Sequence, residues 1–163
     1  MDTTLVDTSA VRDAGRALQE LLPVHCYGCG VRNDKGLQIR SRWLGDECVC
    51  RWQPGAEHIG HPGVVCGGII ASVVDCHAIW TALSQTCRLE GLALGVDTPP
   101  FVYVTGRLTV QYLEPADVRW PLVVRARIAE QGPRKSIVAC RVSQGDVECA
   151  TAEVVAVRVA GAQ

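Results

Sequence analysis

Charge is scarce in the middle of this chain. Between Glu57 and Arg88 the only Asp, Glu, Lys or Arg is Asp75. Overall the chain also lacks an excess of either sign: 16 Lys and Arg face 17 Asp and Glu, for a net charge of −1. The basic residues are scattered, with only short clusters such as Arg134-Lys135. That balance removes the electrostatic case for nucleic acid or an anionic membrane as partner. No internal repeat, low-complexity tract or linker interrupts the 163 residues, a length suited to one core. The opening residues, MDTTLVDTSAVRD, lack the basic-then-apolar order of a signal peptide. The nine cysteines are odd in number and have no disulfide-like spacing. Together these predict free thiols in a reducing, cytoplasmic setting.

A run so poor in charge raises the question of a membrane span. Against it stand Gly60, Pro62, Gly63, Gly67, Gly68, Asp75 and three histidines, with no flanking basic cluster. A helix enclosed by protein fits better, from about Gly67 to about Thr86, apolar on most of its faces.

Around that helix the pattern is of strands. Leu37 to Leu44 and Cys48 to Gln53 alternate about Gly45-Asp46 and predict a hairpin. Residues 54 to 65 form a Gly/Pro/His loop. Phe101 to Leu113, Pro121 to Glu130, Ser136 to Ser143 and Val147 to Val159 are strand-like, with turns at Gly132-Pro133 and Gln144-Gly145-Asp146. Upstream, TSAVRDAGRALQELL, residues 8 to 22, predicts an amphipathic helix capped by Thr8 or Ser9 and ended by Pro23. The division is therefore an N-terminal helical extension over 1–24 and a main α+β domain over 25–163, in which one antiparallel sheet curls around a long helix. Two such units can complete their burial by pairing sheet edges or packing helices, which predicts a homodimer, with a dimer of dimers as the larger option.

Asp75 needs a reason. A lone carboxylate costs several kcal/mol to bury. Gly67 and Gly68 stand at the predicted start of the same helix, where backbone N–H groups lack partners and the dipole is positive. Glycine lets a substrate oxygen approach those groups, which would polarise a carbonyl and stabilise an oxyanion. Seven residues later the helix returns nearly to the same face, roughly 10 Å further along, so carboxylate and amides are expected to border one groove. The plainer reading is that Asp75 bonds a backbone or tyrosine donor and the glycines only permit close packing.

HPGVVCGGIIASVVDCHA resembles the signature of the hot-dog-fold acyl-CoA thioesterases, the phenylacetate-pathway type and its relatives. HCYGCGVRNDKGLQI, VTGRLTVQYLEPA and GPRKS resemble further segments of that family, in the same order, and together they cover most of residues 25 to 158. The resemblance implies a hot-dog fold and a dimer with its site at the subunit interface. It implies an acyl-CoA substrate, no cofactor, Gly67 N–H on the thioester carbonyl, and Asp75 as general base or nucleophile. Thioesters are weakly resonance-stabilised, so one donor and one carboxylate suffice without a triad.

The family's His before Gly-Gly is Cys66 here, a weaker hydrogen-bond donor. A second reading makes Cys66, at a helix N-terminus, a nucleophile with His61 or His77 as base. His58 and His61 lie in the preceding loop, where relatives place a water-holding residue; a solvent-facing or helix-capping role is the plain alternative. His77, two residues past Asp75, points off that face and reads as structural or interfacial. His25-Cys26-x-x-Cys29 invites a zinc reading, but one CxxC without a second pair is better explained as a tight loop with packed thiols, so no metal is expected. Arg107, Arg134 and Lys135 are candidates for the coenzyme A phosphates. Trp43, Trp80, Tyr112 and Trp120 are candidates for limiting the acyl chain.

These readings give an acyl-CoA thioesterase first, and second a hot-dog protein that binds acyl-CoA or another hydrophobic ligand without hydrolysis. A hot-dog hydratase comes last, because the pattern around Asp75 lacks the histidine it would need.

Overall fold

The computed structural model describes residues 15–161. A hairpin comes first, β1 (Ser41–Leu44) and β2 (Glu47–Trp52), with Leu44 opposite Glu47 across the Gly45-Asp46 turn. Its first strand starts four residues later than the alternation suggests. Gln38 takes a left-handed φ of 57°, and the Leu37 and Ile39 N–H groups donate to Tyr27 O and Gly28 O at 2.9 and 3.1 Å. The segment is bound to the preceding loop instead of a neighbouring strand. Residues 54 to 65, expected as loop, hold a 3₁₀ turn at Ala56–His58 and a two-stranded ribbon, β3 (Ile59–His61) and β4 (Val64–Val65).

The long helix, α2, runs Gly67–Leu89. No proline interrupts it, and it stops where Gly91 turns to φ 71° and the Leu92 N–H closes onto Cys87 O at 2.8 Å. Its mean hydropathy of 1.3 and 23 residues would let it cross a membrane by composition alone. In the fold it packs against all six strands of the main sheet. Ile70, Val73, Val74, Ala78, Trp80, Ala82 and Leu83 are buried there.

The remaining strands are β5 (Phe101–Tyr112), β6 (Leu122–Gln131), β7 (Lys135–Gln144) and β8 (Val147–Ala160), each within two residues of its sequence-predicted bounds. The sheet order is β1-β2-β6-β7-β8-β5, every neighbour antiparallel. This is the helix-and-curved-sheet arrangement the resemblance implies. Among the described residues β5 ends the sheet with a free edge, and Val102, Val104 and Tyr112 are exposed along it. Within β5 the register slips by one residue at Gly106: Thr105 opposes Ala156, and Arg107 opposes Val155. Phe101 and Tyr103 face the core before the bulge; Leu108 and Val110 do so after it.

The helix expected over residues 8–22 lies partly outside the described residues. Within them only one turn forms, α1 (Leu18–Leu21), after Gly15 at φ 75°. Its start is held by Glu20, whose carboxylate accepts the Ala17 N–H at 2.9 Å. Leu18 joins the main core. Gln19 is fully buried; its carbonyl accepts the Ser41 N–H at 2.8 Å and its amide donates to Ser41 Oγ at 2.9 Å. Ser41 Oγ meets His77 Nδ1 at 2.8 Å, and His77 Nε2 lies 3.0 Å from Cys48 O. Burial lowers the His77 pKa to about 4, so the ring is neutral at pH 7; Nε2–H donates to the carbonyl and Nδ1 accepts from Ser41.

Candidate active site

Asp75 sits two turns into α2, half-buried, beneath β5. Thr105 Oγ1 donates to its Oδ1 at 2.5 Å. The carboxylate borders a cavity of about 410 Å³ whose walls include Ile79, Trp80, Leu83, Val102 and Tyr103. The acid is thus held by a hydroxyl at the rim of an apolar chamber. Thr105 was not singled out from the sequence; thirty residues separate it from Asp75, and no local pattern joins them.

Gly67 is the first residue of α2, with Cys66 as N-cap. The Cys66 carbonyl accepts the Ile69 and Ile70 N–H groups at 3.0 and 3.1 Å, and the Cys66 N–H donates to His58 O at 2.8 Å. Among the described residues this leaves the Gly67 and Gly68 N–H groups without a backbone acceptor, as expected of a helix's first turn. Gly68 is exposed and Cys66 half-buried. The Tyr112 hydroxyl donates to Gly67 O at 2.6 Å, and a Cβ at Gly67 would lie 3.1 Å from the Tyr112 ring. Burial first, then Cys66, raises the Tyr112 pKa, so the phenol stays protonated and keeps that bond.

Gly67 opens onto a second cavity of about 300 Å³, lined also by Val65, Ile70, Tyr112 and Pro115. This differs from the single groove expected for the two residues. Eight residues of helix span about 12 Å, and β5 lies along that length with Thr105 at one end and Tyr112 at the other. Within one chain, acid and amide face separate chambers.

The other predicted residues are dispersed. His58 is anchored: its Nδ1 accepts the Gly55 N–H at 2.7 Å, and its ring packs on Trp52 with centroids 4.9 Å apart. His61 is exposed on β3. Arg107 pairs with Glu153 at 3.0 Å on the sheet surface. Arg134 lies in the β6–β7 turn, where its carbonyl accepts the Arg158 N–H at 2.8 Å, and Lys135 opens β7. Of the aromatics, Trp80 lines the Asp75 cavity and Tyr112 the Gly67 cavity, whereas Trp43 lies under the Arg88 guanidinium and Trp120 is exposed.

The CxxC loop reaches the same chamber. Cys26 and Cys29 line the Asp75 cavity, joined by Cys76 from α2. The Cys29 pKa is lowered to about 6; the hydrogen bond with Cys76 and the Trp80 indole outweigh burial, which acts the other way. The Cys76 thiol is raised by its bond to Cys29 and by burial.

A long helix packed in a large antiparallel sheet is the hot-dog fold of the thioesterases. Solved structures share this fold. A thioesterase superfamily protein from Shewanella loihica aligns with a TM-score of 0.66 at 29% identity, covering 86% of this chain and 98% of that one. The PaaI protein of the phenylacetic acid degradation operon of E. coli gives 0.64 at 18% identity, over 80% and 88% of the two chains. A Streptococcus mutans protein bound to acetyl-CoA gives 0.61 at 15%, over 77% and 91%. The chain belongs to the acyl-CoA thioesterase family: the model of the acyl-CoA thioesterase N-terminal domain matches residues 58–157. No curated protein matches it.

Proposed function

We propose that the protein hydrolyses an acyl-CoA thioester to free acid and coenzyme A, at a site assembled by two copies of the chain. The observation that carries this is Asp75, the one charged residue of a long apolar stretch, held by Thr105 at the mouth of an apolar cavity. An acid on the core helix, with its own positioning donor and an apolar chamber beside it, suits chemistry better than packing.

Asp75 takes a proton from water as the water attacks the carbonyl carbon; alternatively the carboxylate attacks directly and water then opens the mixed anhydride. The Gly67 N–H donates to the carbonyl oxygen as it gains charge. The C–S bond breaks and coenzyme A leaves as the thiol after protonation. The separate cavities of Asp75 and Gly67 support a shared site. A two-fold axis that sets the α2 helices antiparallel, with β5 edges meeting, brings Asp75 of one copy toward the partner subunit's Gly67. The free β5 edge with exposed Val102 and Val104 supports that pairing. Trp80 and Leu83 then bound the acyl chain. Arg107, Arg134 and Lys135 are offered to the coenzyme A phosphates, Arg107 by giving up Glu153.

The test is turnover of an acyl-CoA panel, followed by thioester absorbance; a thiol dye would also react with the protein's own cysteines. Asp75→Asn should lower kcat at least a hundredfold while the protein stays folded and dimeric. Unchanged turnover refutes the mechanism. The second reading, binding without hydrolysis, draws on Cys66, which makes no side-chain capping bond at the helix start. Saturable acyl-CoA binding with no release of coenzyme A would favour it.

A further inference from the structure

A loop and a helix meet at sulfur. The Sγ atoms of Cys26, Cys29 and Cys76 all lie within 4.8 Å of one another, with Cys26 and Cys76 3.6 Å apart. Gly28, between the two loop cysteines, sits so close to the helix that a Cβ there would collide with Cys76 Sγ; only glycine permits that approach. The Trp80 indole N–H donates to Cys29 Sγ at 3.1 Å, a donor suited to a sulfur carrying negative charge.

We propose that Cys26, Cys29 and Cys76 form a binding site for a thiophilic divalent ion of the zinc class, with the fourth coordination position facing the cavity that also holds Asp75. The spacing fits. Sulfurs about 2.3 Å from a tetrahedral ion stand about 3.8 Å apart, close to the 3.6 Å Cys26–Cys76 separation, and all three pairs lie within 4.8 Å. Three soft donors select zinc-like ions over magnesium or calcium, which take oxygen ligands. Three protein ligands with one open position is also the coordination of reactive rather than closed structural zinc. As each S–metal bond forms, the thiol gives up its proton to solvent. The bound ion ties the loop to α2 and fixes one wall of the Asp75 chamber.

The site stands on metal binding alone and does not depend on the hydrolytic reading. The full chain, reduced with a phosphine and stripped by chelator, is titrated with Co²⁺ and then Zn²⁺. One equivalent of Co²⁺ per chain should bind, with thiolate-to-cobalt charge-transfer absorption that Zn²⁺ removes. Cys26→Ser and Cys76→Ser should each weaken binding at least tenfold. Cys26 is exposed, so its variant keeps the fold. Absence of the charge-transfer band, or Cys26→Ser and Cys76→Ser proteins that bind like the parent, overturns the proposal.

Discussion

The Thr105 hydroxyl on β5 donates to Asp75 on α2 across 2.5 Å, joining the edge strand of the sheet to the only acid of the long apolar stretch. The bond fixes one carboxylate oxygen of an acid that lines the cavity. Thr105 is therefore a positioning residue for Asp75. Thr105→Val keeps the shape and removes the donor. A hydrogen bond to a charged group contributes about 1.5–3 kcal/mol, so kcat on an acyl-CoA should fall about tenfold or more. KM should stay within about twofold. Steady-state kinetics checks this, and an unchanged kcat would remove Thr105 from the site.

Gln19 joins the N-terminal segment to the core through Ser41, which in turn bonds His77. Gln19→Ala leaves the buried Ser41 N–H without its acceptor. Stability should drop by about 1–3 kcal/mol, read as a lower urea midpoint with an unchanged slope. A loss under about 0.5 kcal/mol would mean that water replaces the amide.

Glu47 receives Arg125 at 3.0 Å and Arg127 at 2.9 Å. Burial raises its pKa, but the hydrogen bonds and charge of the two arginines outweigh that and hold it below 4.5. A depressed carboxylate adds stability above its unfolded pKa and loses it as pH falls through the folded one. Glu47→Gln should therefore cost about 1 kcal/mol at pH 7, and the gap should close as the pH falls below the ordinary glutamate range and through the depressed folded-state value. Denaturation curves across that range test it; a gap independent of pH would assign the loss to packing.

Much of this fold is legible locally. The strands alternate, and the helix is a continuous apolar run bounded by glycines, so their bounds follow from short-range pattern. The hairpin's first strand starts later than its alternation suggests, because Leu37 and Ile39 alternate like a strand but give their N–H groups to Tyr27 and Gly28. The N-terminal helix shrank to one turn within the described residues because Gly15 breaks it. For the site, Asp75 and Gly67 stand out by composition alone. Their partners Thr105 and Tyr112 do not, since both are ordinary strand residues brought to the helix by tertiary pairing. Cys76 likewise reads as one apolar helix position until the loop of Cys26 and Cys29 folds onto it. His58, offered by the resemblance as a water-holding residue, accepts a turn amide from Gly55, three residues away, through Nδ1.

The bulge at Gly106 sets which side chains of β5 reach the helix. Thr105 and Tyr112 are an odd number of positions apart, so an unbroken ladder would aim them at opposite sides of the sheet. The one surplus residue resets the alternation, and both hydroxyls end up on α2, one at the acid and one at the helix start. Drawing Gly106 into the ladder as an ordinary paired residue, with no surplus, would swing one of the two away to the other side of the sheet. The bulge thus keeps the two hydroxyls in phase along the helix despite their odd spacing.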